Sequence, residues 1–104
     1  MLYFQGLRNR SIRLTDERLH HFEPDHPEMA GQTPRIAETI ADPDWIVRSR
    51  TDATVELFYT WYASTPVTAK FLCVVVKALP ADPFMITAYH TDALKRGEVL
   101  WQKT

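Results

Sequence analysis

Cysteine occurs once in the 104-residue chain, at Cys73, so no internal disulfide framework is available, and the usage fits a reducing compartment such as the cytoplasm. Glycine occurs three times, and Gly6 lies in Met1-Leu2-Tyr3-Phe4-Gln5-Gly6, a stretch that reads as the remnant of an engineered protease-cleavage tag. So few glycines exclude a glycine-rich loop for cradling phosphates. No apolar run comes near the ~18–20 residues of a membrane helix and no secretory signal is visible, so no membrane partner is expected. Charge of one sign is not in excess either. The chain has 12 basic residues against 13 acidic ones, net −1, which excludes a uniformly basic nucleic-acid binder.

What is present is the composition of one globular domain, with 45% apolar and 24% charged residues. With residues 1–6 set aside, residues 7–104 read as a single domain. It is large enough to bury roughly 60–65% of its unfolded surface and so to fold without a metal or disulfide staple. Charge is unevenly spread along it. Arg8, Arg10 and Arg13 give the leading segment +3, Asp16 to Asp44 carries −6, and Trp45 to Thr104 carries +2. An acidic half beside a mildly basic one is compatible with a localised polyanion site, and equally with ordinary solvated faces.

Ser11-Ile12-Arg13-Leu14 alternates and suits a short strand or an extended lead-in. Thr15 can cap a helix whose first turn holds Asp16 and Glu17 and whose packing stripe is Leu19 and Phe22, with Pro24 and Pro27 stopping it. A second helix is signalled by Thr33 as N-cap, Pro34 at the first helical position, and Ile36, Ala37, Ile40 and Ala41 at helical spacing, ending at Asp42-Pro43. The texture then turns to strands over 44–49, 53–62, 71–76 and 84–91, with 98–101 a short strand or docked tail. Phe71-Leu72-Cys73-Val74-Val75-Val76 is apolar on both faces, the mark of a central strand. The predicted fold is α+β: N-terminal helices packed on a four-stranded, or slightly larger, antiparallel β-sheet.

His20, His21, His26 and His90 raise the question of a metal, but His21-x4-His26 straddles two prolines and is not a helical zinc pair, so no metal site and no cofactor are expected. Cys73 reads as a small buried core residue. In Met85-Ile86-Thr87-Ala88-Tyr89-His90-Thr91, alternation puts Thr87, Tyr89 and Thr91 on one face and Ile86, Ala88 and His90 on the other. Three hydroxyls in a row make a surface for hydrogen-bonding an anion or a ribose, or simply a solvated ladder of β-favouring residues. Cys73, Val75 and Lys77 share one face of the preceding strand.

His21-Phe22, His26-Pro27-Glu28-Met29, Asp42-Pro43-Asp44, Arg48-Ser49, Phe58-Tyr59, Leu72 to Lys77, Ile86 to Thr91, and Lys95-Arg96-Gly97-Glu98 with Trp101 follow one another. That order resembles the phage-associated branch of the barnase–EndoU–colicin–RelE-like (BECR fold) nucleases, over about Ile12 to Trp101. The resemblance implies a toxin-like or effector-like, metal-independent endoribonuclease acting on RNA in the cytoplasm, with an inhibitor or immunity protein as a further partner. Such cleavage needs a base for the 2′-hydroxyl, an acid for the leaving 5′-oxygen, and cations or donors around the pentacoordinate phosphate. Histidine suits both proton roles. Carried over by position, the resemblance implies His21, His26, Lys77, Thr87 and Tyr89 as catalytic residues and Arg48 and Thr91 as substrate-binding ones. The helix pattern does not choose His21 over His20; only the resemblance does. For His26 the rival role is structural, an imidazole capping its own loop. The alternative function is a catalytically inactive domain of the same fold that binds a protein or a nucleic acid within a larger phage protein.

Overall fold

A computed structural model describes residues 1–18, 27–29 and 31–104. One mixed sheet of seven strands dominates it: β1 (Leu2–Gln5), β2 (Ser11–Leu14), β3 (Trp45–Arg48), β4 (Val55–Tyr62), β5 (Lys70–Lys77), β6 (Phe84–Thr91) and β7 (Glu98–Gln102), in spatial order β1-β2-β6-β5-β4-β3-β7. Among the described residues helix is confined to α1 (Thr33–Ala41), to residues 16–18, and to 3-10 turns at Leu7–Asn9 and Pro27–Met29. No helix of the described residues is long and apolar enough to cross a membrane.

The expected α+β arrangement, helices first and then a four-stranded antiparallel sheet, is therefore corrected: the chain is mostly β and opens with two strands. Leu2–Gln5, set aside in reading the sequence, pairs antiparallel with β2 along its whole length. Its Phe4 sits opposite Ile12 and is only 6% exposed. β2 then runs parallel to β6, through Arg13 and Phe84, and β7 returns to β3 at the opposite edge. Both pairings join segments remote in the chain, which local periodicity does not announce. The expected antiparallel meander survives inside this larger sheet as β3-β4-β5-β6.

Helix α1 begins one residue earlier than its sequence signal. Gln32, not Thr33, is the N-cap: its carbonyl accepts the Ile36 N–H at 2.9 Å, and Thr33 and Pro34 occupy the first turn, where a missing N–H costs nothing. Gly31 makes the preceding turn at φ +76°, a conformation that a side chain would strain. Asp42 ends the helix as expected, its N–H donating to Glu38 O at 2.8 Å, with Pro43 beyond. Thr15 acts as the predicted cap, accepting the Arg18 N–H at 3.2 Å; Leu19 and Phe22, its predicted stripe, lie outside the described residues.

Ile36 and Ile40 of α1 are fully buried against β5, β4 and β1, over Phe4, Ile12, Phe58, Leu72, Val74 and Val76. Burying each isoleucine contributes about 2–3 kcal/mol before ordering costs. The other side of the sheet carries no helix among the described residues. Its apolar cluster of Val47, Val55, Leu57, Tyr59 and Cys73 is flanked by Leu94, from the β6–β7 loop, and by Tyr89. Phe4→Ala should destabilise the protein by about 3 kcal/mol in urea denaturation, because it opens a cavity in the helix-side core. A change near zero would show that β1 contributes nothing to that core.

Candidate functional site

The sheet face away from α1 is the one that offers a site. Register places Thr87 opposite Val75, Tyr89 opposite Cys73 and Thr91 opposite Phe71, so the three hydroxyl residues share that face, as parity predicts. Lys77 belongs to it too, opposite Val55 of the same apolar cluster. The expectation that Ile86 lies on the face opposite Thr87, Tyr89 and Thr91 is corrected. The register shifts between Val75 and Val76, which face Thr87 and Met85, leaving Ile86 as an extra residue that packs, like Val75 and Tyr89, against the apolar cluster of this face. Met85 and Ala88 keep to the helix-side core.

A cavity of about 390 Å³ lies on this face. Val55, Leu57, Val75, Ile86 and the Tyr89 ring form an apolar floor, and Thr87 stands beside them. Two loops supply the rim: Ser49, Arg50, Thr51 and Asp52 between β3 and β4, and Lys95 and Arg96 between β6 and β7. Three cations thus meet one carboxylate. That carboxylate is already engaged, accepting from the Thr54 hydroxyl at 2.6 Å, the Thr54 N–H at 2.9 Å and Lys77 Nζ at 3.0 Å. These bonds, Thr54 first, hold Asp52 down at about 2, so it is ionised at neutral pH. Arg50 and Arg96 have no ion-pair partner among the described residues.

The Lys95-Arg96 loop is pinned at two points. The Lys95 N–H donates to the Tyr59 hydroxyl at 3.1 Å, and its ammonium stands 5.9 Å from the centre of the Tyr89 ring. Gly97 lets the chain pass over β3: a Cβ there would come within 2.2 Å of the Arg48 carbonyl oxygen and 2.8 Å of Val47 Cγ1.

The hydroxyl row is less open than its parity suggests. The Tyr89 hydroxyl is buried, and burial first, then the neighbouring Cys73 thiol, pushes it well above the usual tyrosine range, so it stays protonated. Cys73 is 0% exposed, and burial raises its thiol to about 11. Thr91 Oγ1 is tied into its own turn, donating to Ala93 O at 3.2 Å and accepting the Ala93 N–H at 3.4 Å. Of the three hydroxyl residues, Thr87 and the ring of Tyr89 line the cavity.

Arg48 does not join this group. It projects to the helix side, into a cleft of about 240 Å³ lined with Arg8, Arg10, Ile46 and Glu56. There it donates to Glu98 Oε1 at 3.0 Å and to Ala53 O at 2.9 Å. The other two candidates, His21 and His26, lie outside the described residues. His90 is on the helix side, opposite Leu72, as its parity predicts. Its two ring nitrogens are buried with no hydrogen-bond partner among the described residues, and burial pushes its pKa down. No cluster of three potential metal ligands occurs among the described residues.

Arg50, Lys95 and Arg96 were not among the sequence candidates. They sit in loops, where periodicity says nothing, and the one local signal was the Lys95-Arg96-Gly97 run. In comparisons with protein-family models, curated proteins and solved structures, nothing matches the chain.

Two predictions follow from these positions. Gly97→Ala should cost about 1–3 kcal/mol of stability, since either β7 or the Arg48 peptide must move; unchanged denaturant midpoints would show that the close approach is not real. His90 gives a pH dependence. Its folded pKa lies below the unfolded value of about 6.5, so the unfolded chain binds the extra proton and stability falls as pH drops below that point. Urea midpoints at pH 7.5 and 5.0 should separate less in His90→Gln than in the wild type, and equal separation would contradict the burial of the ring.

Proposed function

We propose that the domain binds RNA through the open face of its sheet, one nucleotide unit entering the cavity with its base on the apolar floor and its phosphate at the rim. The observation that carries this reading is the convergence of Arg50, Lys95 and Arg96, from two separate loops, on a cavity whose one lining carboxylate among the described residues is held by Thr54 and Lys77. Guanidinium groups bind phosphate oxygens in pairs, which suits Arg50 and Arg96 to the task. Thr87 adds a neutral donor next to them. The cavity's 390 Å³ falls within the range of small-ligand sites, and its floor gives a planar base something to lie on.

A second reading, RNA cleavage without metal, is favoured by the same ring of cations and the Thr87 hydroxyl, which suit a pentacoordinate phosphate. It requires proton transfer as well. The Tyr89 hydroxyl remains a donor at neutral pH, and the bases that the family resemblance offers for the 2′-oxygen are His21 and His26. Incubating total RNA with the wild type and with His21→Ala/His26→Ala separates the readings. Loss of cleavage in the double variant, by ~10²-fold or more, supports catalysis. Binding without cleavage supports the inactive module.

Binding itself has a quantitative signature. Three phosphate contacts to a single strand should give a slope of log affinity against log salt of about −2. Arg50→Ala should make that slope shallower by about 0.7, whereas Arg48→Ala, on the other face, should leave it unchanged. A fluorescence-anisotropy titration at several salt concentrations checks both, and equal effects of the two variants would overturn the site.

A further inference from the structure

The open face extends past the cavity to an aromatic surface that nothing above uses. β4 and β5 pair without a break, so Trp61 and Phe71 stand opposite each other on the same face as Leu57, Tyr59 and Cys73. Their rings meet edge to face, with centroids 5.0 Å apart, and Phe71 in turn leans on Tyr59 at 6.2 Å. Trp61 is nevertheless 47% exposed. Its backbone is fixed, the N–H donating to Asp44 Oδ2 at 2.9 Å, so the indole is presented from a held strand and not from a loop. Of the acids beside the aromatic pair, Asp92 is paired with Lys70, and Asp44 shares Lys103 with Asp42. Four residues of β4, roughly 13 Å, separate Trp61 from Leu57 on the cavity floor.

An exposed indole supported edge-on by a second ring, in line with a cationic cavity on one sheet face, is the arrangement that holds unpaired bases by stacking. We infer that Trp61, backed by Phe71, is a stacking platform for a base two or three nucleotides away from the phosphate in the cavity, so that the ligand is a single strand and not a duplex. This rests on the RNA-binding reading above. A duplex hides its base faces in its own stack and would leave Trp61 without a partner, whereas every base of a single strand offers a face. Recognition of this kind tolerates sequence, because stacking uses the ring and not the hydrogen-bonding edge.

The test compares three labelled decamers by anisotropy: single-stranded RNA, the corresponding RNA duplex, and an abasic ribose-phosphate strand. Each is titrated with the wild type, Trp61→Ala, Trp61→Phe and Arg50→Ala. The expected result is that the wild type prefers the base-bearing single strand. Trp61→Ala should weaken that strand about 5- to 100-fold while leaving the abasic strand unchanged, and Trp61→Phe should restore most of the loss. Arg50→Ala should weaken both strands. Equal binding of base-bearing and abasic strands, an unaffected Trp61→Ala, or a duplex bound as tightly as the single strand would overturn the platform and leave phosphate binding standing. Failure of every decamer to bind would overturn both readings. A wild-type dimer in sedimentation that Trp61→Ala converts to monomer would overturn the platform too, by giving Trp61 to a second copy of the chain. Melting curves of each variant guard against unfolding.

Discussion

β5 is buried from both sides, and every other placement in the molecule is measured from it. Leu72, Val74 and Val76 are wholly inaccessible under α1, Cys73 is equally buried on the other face, and lysines at both ends, Lys70 and Lys77, mark where burial stops. A strand with this pattern cannot slip by one residue. Moving Cys73 and Val75 into the helix-side core would expel three large aliphatic side chains from it, at about 1.5–3 kcal/mol each. Because β4 and β6 pair with β5 along most of its length, that fixed parity passes to them. Trp61, Leu57, Thr87 and Tyr89 reach the same face as a consequence, with no need for any contact among themselves.

The two faces are then treated differently. On one, α1 fills the surface with isoleucines. On the other, the described covering is the short β6–β7 loop, which brings Leu94 down on the centre and leaves open ground on either side: the cavity towards Val55, and the Trp61–Phe71 pair at the far end. The loop is held by one backbone bond to Tyr59 and by a glycine that allows it to skim the Arg48 carbonyl. The same feature that divides the face also delivers Lys95 and Arg96 to its rim, so the covering of the face and the proposed phosphate site are not separable here.

How much of this could be read in advance depends on how local the cause is. The centrality of 71–76, the end of α1 at Asp42 and the shared face of Thr87, Tyr89 and Thr91 follow from near neighbours, and all three are present. The side on which Ile86 lies depends on a bulge with no glycine or proline to mark it. The side on which Arg48 lies depends on β3 pairing with β4, since parity inside a four-residue strand fixes only relative positions. The failure at the amino end has another origin: Leu2-Tyr3-Phe4-Gln5 was discounted by its resemblance to a tag, although a short run carrying Tyr and Phe is well suited to add to the open edge of β2. The hydroxyl row teaches a further distinction, because sharing a face is not the same as presenting a donor to it. Tyr89 turns its hydroxyl inward to Cys73, and Thr91 spends its own on the turn.

A net charge of −1 counts against a polyanion ligand only if charge acts as a total. None of the described acids of the 16–44 stretch lines the cavity: Glu38 is bonded to the Tyr62 hydroxyl, and Asp42 and Asp44 stand beside Lys103. A phosphate entering the cavity would therefore meet Arg50, Lys95 and Arg96 over their apolar floor. It is the local field, strengthened by low-dielectric walls, that decides what binds.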